Sequence, residues 1–278
     1  MWTASAAFAR AAGVPRADCF PTDKLPPALQ QKSESLLLRA LDTEALFTIA
    51  GDLKPMSSFM EYRIPLSSLD LSDLETARRA LAVWRCGDGL FADVHHFTQP
   101  HDGKLYAEAA VWNRRALAAV IASHARFFRP YGITPSTHPM EVAMTIEFDP
   151  GVSRFRGYGY LYGYPDYAVD FFVSAEEIQH KTGQKVPREI VSVPTYTRET
   201  GLYAWAAPTG HKENDVDRQI KAKAAVILSE YRSRRPRYIG PGKPGVVLLL
   251  RDWFDDGKGR CAPENAMTAE RQMRGRRY

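Results

Sequence analysis

Residues 90–132, LFADVHHFTQPHDGKLYAEAAVWNRRALAAVIASHARFFRPYG, set two periodicities end to end. LFADVHHFT and KLYAEAAVW read as strands joined by the turn residues QPHDG. NRRALAAVIASHARFFRPYG reads as a helix: Asn113 is placed to cap it, and Leu117, Val120, Ile121, His124 and Phe128 fall near one face. A chain that passes from paired strands straight into an amphipathic helix has to bury one against the other. The class is therefore α/β or α+β, a mixed sheet with helices packed on it.

Similar signals recur along the chain. PPALQQKSESLLLRAL, SLDLSDLETARRALAVWRCG and NDVDRQIKAKAAVILSEYRSRR are helical; in the second, Ser72 and Glu75 have capping-box spacing and Gly87 is a stop. ALFTIAG, EIVSVPTYT, GLYAWAA and GVVLLLRDWF read as strands, and PMEVAMTIEF fits either state. One globular domain over 27–254 accounts for these elements, after an extended arm over 1–26 and before a loose, polar, basic tail over 255–278.

The stretch GYGYLYGYPDYAVDFF begins at Gly157. As a strand it would place Tyr158, Tyr160, Tyr162 and Tyr164 on one face. Gly157, Gly159, Leu161 and Gly163 would lie on the other, pressed against a neighbour such as a helix. From Pro165 and Asp166 a helix is expected to run to a stop at Gly183, with a strand YAVDFFV followed by a helix capped by Ser174 and Glu177 as the alternative. The spacers between the glycines are too bulky for a dinucleotide-binding loop.

Composition excludes several classes. At 45% hydrophobic and 25% charged, the chain is neither disordered nor fibrous. No apolar run reaches the length of a membrane span, and the first residues lack the basic start of an intact signal peptide, so a soluble protein is expected. The three cysteines, Cys19, Cys86 and Cys261, form no CxxC pair and allow one disulfide with a thiol or three thiols. A net charge of +5 eases the approach of an anionic partner without requiring one.

Ligands in α/β proteins gather where strands end. FTIAGDLKPMSS offers Lys54 for an anion and Ser57 as a hydrogen-bond donor or nucleophile. YGYPDY offers Tyr162, Tyr164 as a proton donor and Asp166 as a carboxylate. AWAAPTGHKENDVD brings Thr209, His211 and Glu213 to a helix start, with His211 as acid or base. His95 and His96 point to opposite strand faces. Either one could help hold a divalent metal, given further ligands such as His101, His138 or Glu141. No nucleophile elbow, P-loop, HExxH or EF-hand loop occurs.

These residues point first to an enzyme acting on a small polar or anionic molecule by acid/base chemistry, hydrolase-like and with metal assistance as an option. A second expectation is a non-catalytic binding protein whose tyrosine ladder, with Tyr196 and Tyr203, forms an aromatic platform. A third is nucleic-acid binding through Arg232, Arg234, Arg235 and Arg237, disfavoured because the excess charge is small and DWFDDG follows nearby.

Overall fold

In a computed structural model of the chain, residues 13–266 are described. The helices are α1 (Pro27–Asp42), α2 (Leu46–Ile49), α3 (Ser72–Leu81), α4 (Arg114–Ser123), α5 (Ala125–Phe128), α6 (Pro139–Glu147), α7 (Ser153–Leu161), α8 (Asp166–Thr182), α9 (Asp215–Tyr238) and α10 (Val246–Phe254). The strands are β1 (Val14–Pro15), β2 (Met56–Pro65), β3 (Leu90–His96), β4 (Lys104–Asn113), β5 (Arg188–Val193), β6 (Tyr203–Pro208) and β7 (Arg260–Cys261). Every strand pair is antiparallel, in the sheets β2-β4-β3, β5-β6 and β1-β7. Of the two expected classes the fold is α+β.

The sheet β2-β4-β3 organises the molecule because both its faces are covered. Ala107, Ala109 and Val111 of β4 join the larger core with Leu37, Leu41, Trp84, Tyr231 and Leu250. Alternate residues Ala110 and Trp112 point the other way, into a smaller core with Leu117, Ile146 and Leu161. A register shift between Ser58 and Met60 adds a residue to β2, so Phe59 and Met60 both reach the larger core. Asn113 ends β4 and starts α4. Its side-chain oxygen accepts from Ala116 N, and its amide donates to the carbonyls of Thr48 and Gly51, at 3.2 and 2.9 Å.

The hairpin β3-β4, the pair β5-β6, the Asn113 cap of α4, the long α9 and the stop of α8 at Gly183 match the sequence pattern, but the single helix expected over NRRALAAVIASHARFFRPYG is broken at His124 into α4 and α5. Several local expectations are corrected. GYGYL belongs to helix α7, not to a strand. A Cβ on Gly157 would lie 2.6 Å from Ile146 of α6, and one on Gly159 would lie 2.7 Å from Val169 of α8. The glycines thus admit two neighbouring helices, and Tyr158 and Tyr162 share a face because they are four residues apart. ALFTIAG and GVVLLLRDWF also form helices, α2 and α10, since an apolar run buried nearly all round carries no period that separates strand from helix. MSSFMEYRIP, for which the sequence reading names no element, is the strand β2. At α3, Ser72 is the first helical residue rather than the cap; Asp70 accepts its N–H, and the helix ends at Leu81, before Gly87.

The ends of the described chain meet. Val14 and Pro15 pair with Cys261 and Arg260, and Cys261, Ala262 and Ala266 are buried. Cys19 and Cys86 form a disulfide, and Cys261 is a buried thiol. The basic segment RQMRGRRY and most of the alanine-rich start lie outside the described residues.

Candidate functional site: a carboxylate cleft and a buried polar seam

The second face of the central sheet changes character along its length. Near Trp112 it is apolar and sealed; further along β4 it presents Glu108 and Tyr106 instead. Glu61 of β2 and His95 of β3 stand directly opposite Glu108 on either side. Residues on α6 and α7 complete the wall, with Glu147 ending α6 and Tyr158 in the middle of α7. The result is an open cleft of about 500 Å³ that Glu61, Glu108, Glu147, Tyr158, Arg154 and aromatic rings line.

Glu147 is held as an anion. Its side chain is 3% exposed, and burial alone would raise its pKa. Hydrogen bonds outweigh that: Thr98 N and Oγ each donate to Oε1 at 2.9 Å, and the Tyr158 hydroxyl donates to Oε2 at 2.5 Å. With Arg154 3.8 Å away, the carboxyl sits below its ordinary pKa. His95 Nε2 lies 3.2 Å from the same Tyr158 hydroxyl. Because that hydroxyl gives its proton to Glu147, we assign the hydrogen between His95 and Tyr158 to Nε2. Burial lowers the His95 pKa to about 4, so the ring is neutral near pH 7.

Glu108 is pushed the opposite way. Burial raises its pKa, and Glu61 and Glu44 add to the rise against a hydrogen bond from Ser58. Ser58 Oγ is also 3.2 Å from the Tyr162 hydroxyl. One cleft therefore holds a carboxyl whose pKa burial raises and a carboxylate whose pKa hydrogen bonds lower.

Behind Tyr162 a polar seam runs between the two cores. Lys54 is fully buried and paired with Glu44; its Nζ lies 4.4 Å from the Tyr203 ring centre and 5.5 Å from that of Tyr162. Burial lowers the Lys54 pKa and raises that of Glu44, while their attraction opposes both changes. Tyr158, Tyr162, Tyr164 and Tyr203 stack in sequence, with neighbouring ring centres 5.9, 5.9 and 6.4 Å apart. Ser57 lies inside as well, 2.7 Å from the Thr48 hydroxyl.

Of the residues singled out in the sequence, Lys54, Tyr162 and Tyr164 meet in this seam. Tyr164 and Asp166 also line a second cavity, where Asp166 faces His124 at 3.4 Å. His211 lies beyond Tyr167: its Nε2 is 2.7 Å from Asp217, which also accepts the Tyr167 hydroxyl at 2.6 Å. Thr209 is exposed, and Glu213 pairs with Lys221. His96 turns away from His95 and meets Arg78 at 2.8 Å, while His138 caps α6. Among the described residues no group of three or more His, Cys, Asp or Glu side chains is arranged to hold a metal ion.

Three of the four arginines of the third expectation, Arg232, Arg234 and Arg235, have intramolecular partners, and Arg237 is exposed. Arg235 grips both oxygens of Asp42, Arg234 pairs with Glu230 beside Trp253, and Arg232 lies 3.7 Å from Glu199.

Glu108 and Glu147 were not singled out as site residues by the sequence, and Tyr158 only as one ring of the tyrosine ladder. Glu108 did carry a signal, a lone acid in the apolar run YAEAAVW of a strand. Glu147 had none, because Thr98, far away in sequence, and Tyr158, on the next helix, meet it only in the fold. The chain matches no family model, no curated protein and no solved structure. Its own side chains are the ground for a functional assignment.

Proposed function

We propose that this protein is an acid/base enzyme of hydrolytic type that acts on a small polar molecule in the cleft between Glu108 and Glu147. The observation that carries the reading is that two carboxyls lining one cleft have pKa values displaced in opposite directions. Glu147, as general base, takes a proton from a water molecule that attacks the substrate. Glu108, as general acid, gives its proton to the departing oxygen or nitrogen. Tyr158 and His95 act as positioning residues that hold Glu147 in one orientation. Three carboxyl groups, on Glu61, Glu108 and Glu147, face Arg154, which favours a neutral or cationic substrate over an anionic one. His211, Tyr164 and Asp166, the first choice from sequence, have no contact with this cleft in the observed geometry and are left out of the scheme. The platform reading gains little support, since Tyr203 is fully buried and Tyr196 lies against Arg235.

The test is a panel of neutral nitrophenyl glycosides, esters and amides with the wild type, Glu147→Gln and Glu108→Gln. For a class that is turned over, Glu147→Gln should lower kcat by about 10²–10⁴-fold. Glu108→Gln should matter much less with nitrophenolate, which leaves without protonation, than with an alkyl alcohol leaving group. Unchanged kcat in Glu147→Gln on every hydrolysed substrate would remove the proposal.

A further inference from the structure

We infer that the cavity between α4, α8 and the start of α9 is a separate binding site for a small carboxylate that carries a flat apolar ring. This cavity has a volume of about 900 Å³ and shares no lining residue with the carboxylate cleft. Its size suits a small-molecule ligand, and so does its chemistry: a mostly apolar and aromatic wall with a few polar groups.

The ring is accommodated by Tyr164 and by Tyr160, on which His124 stacks at 3.8 Å. Ile220 and Val216 of α9 add apolar surface, and Val216 is 46% exposed, so a ligand there would shield it from water. The carboxylate is recognised by Arg115, whose planar guanidinium matches two carboxylate oxygens. Arg115 is available for this. Its present partner is Asp52, through one contact of 3.4 Å, and the two side chains are 44% and 52% exposed. An ion pair that exposed holds its partners weakly. Asp52 and Asp166 also line the cavity; Asp166 faces His124 at 3.4 Å, and the two carboxylates disfavour a ligand with more than one anionic group.

The inference does not depend on hydrolysis in the other cleft, and its test is direct binding. 3-Phenylpropionate and its uncharged amide, 3-phenylpropionamide, are titrated into the full chain by calorimetry and ligand-observed NMR. Saturable binding of the acid is expected, with the amide at least about tenfold weaker, a typical margin for losing a charge-assisted pair. Arg115→Met should bring the acid down to the affinity of the amide. Ala119→Leu places bulk on an exposed wall position and should weaken both at least about tenfold. Glu147→Gln should change neither affinity. No saturable binding to the wild type, equal affinity for acid and amide, or indifference to Ala119→Leu would each overturn the inference.

Discussion

Replacing Gly157 by alanine tests whether this glycine is there for helix packing or merely tolerated. Alanine is the better helix former by about 1 kcal/mol, so an unpacked helix would gain stability. At Gly157 the new methyl would lie 2.6 Å from both Cδ1 and Cγ2 of Ile146 and 3.0 Å from its Cγ1. Ordinary carbon contacts lie at about 3.5–4.0 Å. Ile146 is fully buried in a close-packed core, which leaves its side chain little room to move. Overpacking of this kind costs about 1–3 kcal/mol, so Gly157→Ala should destabilise by about 0–2 kcal/mol net. Ile146→Ala removes all three clashing atoms and by itself costs about 2–5 kcal/mol. In that background Gly157→Ala should become stabilising by about 1 kcal/mol, because the propensity gain remains and the clash is gone. Urea unfolding of the four proteins, followed by tryptophan fluorescence, gives the coupling, expected at about 1–3 kcal/mol. If the two changes add within about 0.5 kcal/mol, the close approach of α7 to α6 is not what selects glycine here.

His95 should make the fold acid-sensitive. Its folded pKa of about 4 lies below the unfolded value of about 6.5, so the unfolded chain binds more protons between the two. The stability from a neutral His95 is full above pH 6.5 and is lost as pH falls to 4, about 3 kcal/mol in all. His95→Gln should flatten that part of the stability–pH curve, and an unchanged slope would count against a buried neutral ring. Lys54→Met should cost about 3–5 kcal/mol by stranding Glu44, and most of it should return in Lys54→Met/Glu44→Leu. An equally unstable double variant would show that the apolar pair does not fit the space. The Cys19–Cys86 bridge, with a sequence separation of 67, should stabilise by about 4 kcal/mol through loop closure. Cys19→Ala/Cys86→Ala and reductant should lower the midpoint alike; no effect of either would mean the bridge does not form.

By itself the sequence determined those elements whose signals are local. The hairpin β3-β4 rests on alternation and turn residues, α4 on the Asn113 cap, and the stop of α8 on Gly183, whose φ of 72° favours glycine. The sequence also marked Lys54, Tyr162 and Tyr164 as residues of interest, and these three do come together. Only the tertiary structure decided the rest. Alternating glycine and tyrosine suits a strand and a helix equally until Ile146 and Val169 press on the glycines. A carboxyl's protonation is likewise not a property of its own position in the chain. The pKa of Glu147 is lowered because Thr98 and Tyr158 reach it from other segments, and that of Glu108 is raised because the folded chain partly buries it. Hydrogen bonding and burial at these carboxyls are long-range contacts, and they exist only once the chain has folded.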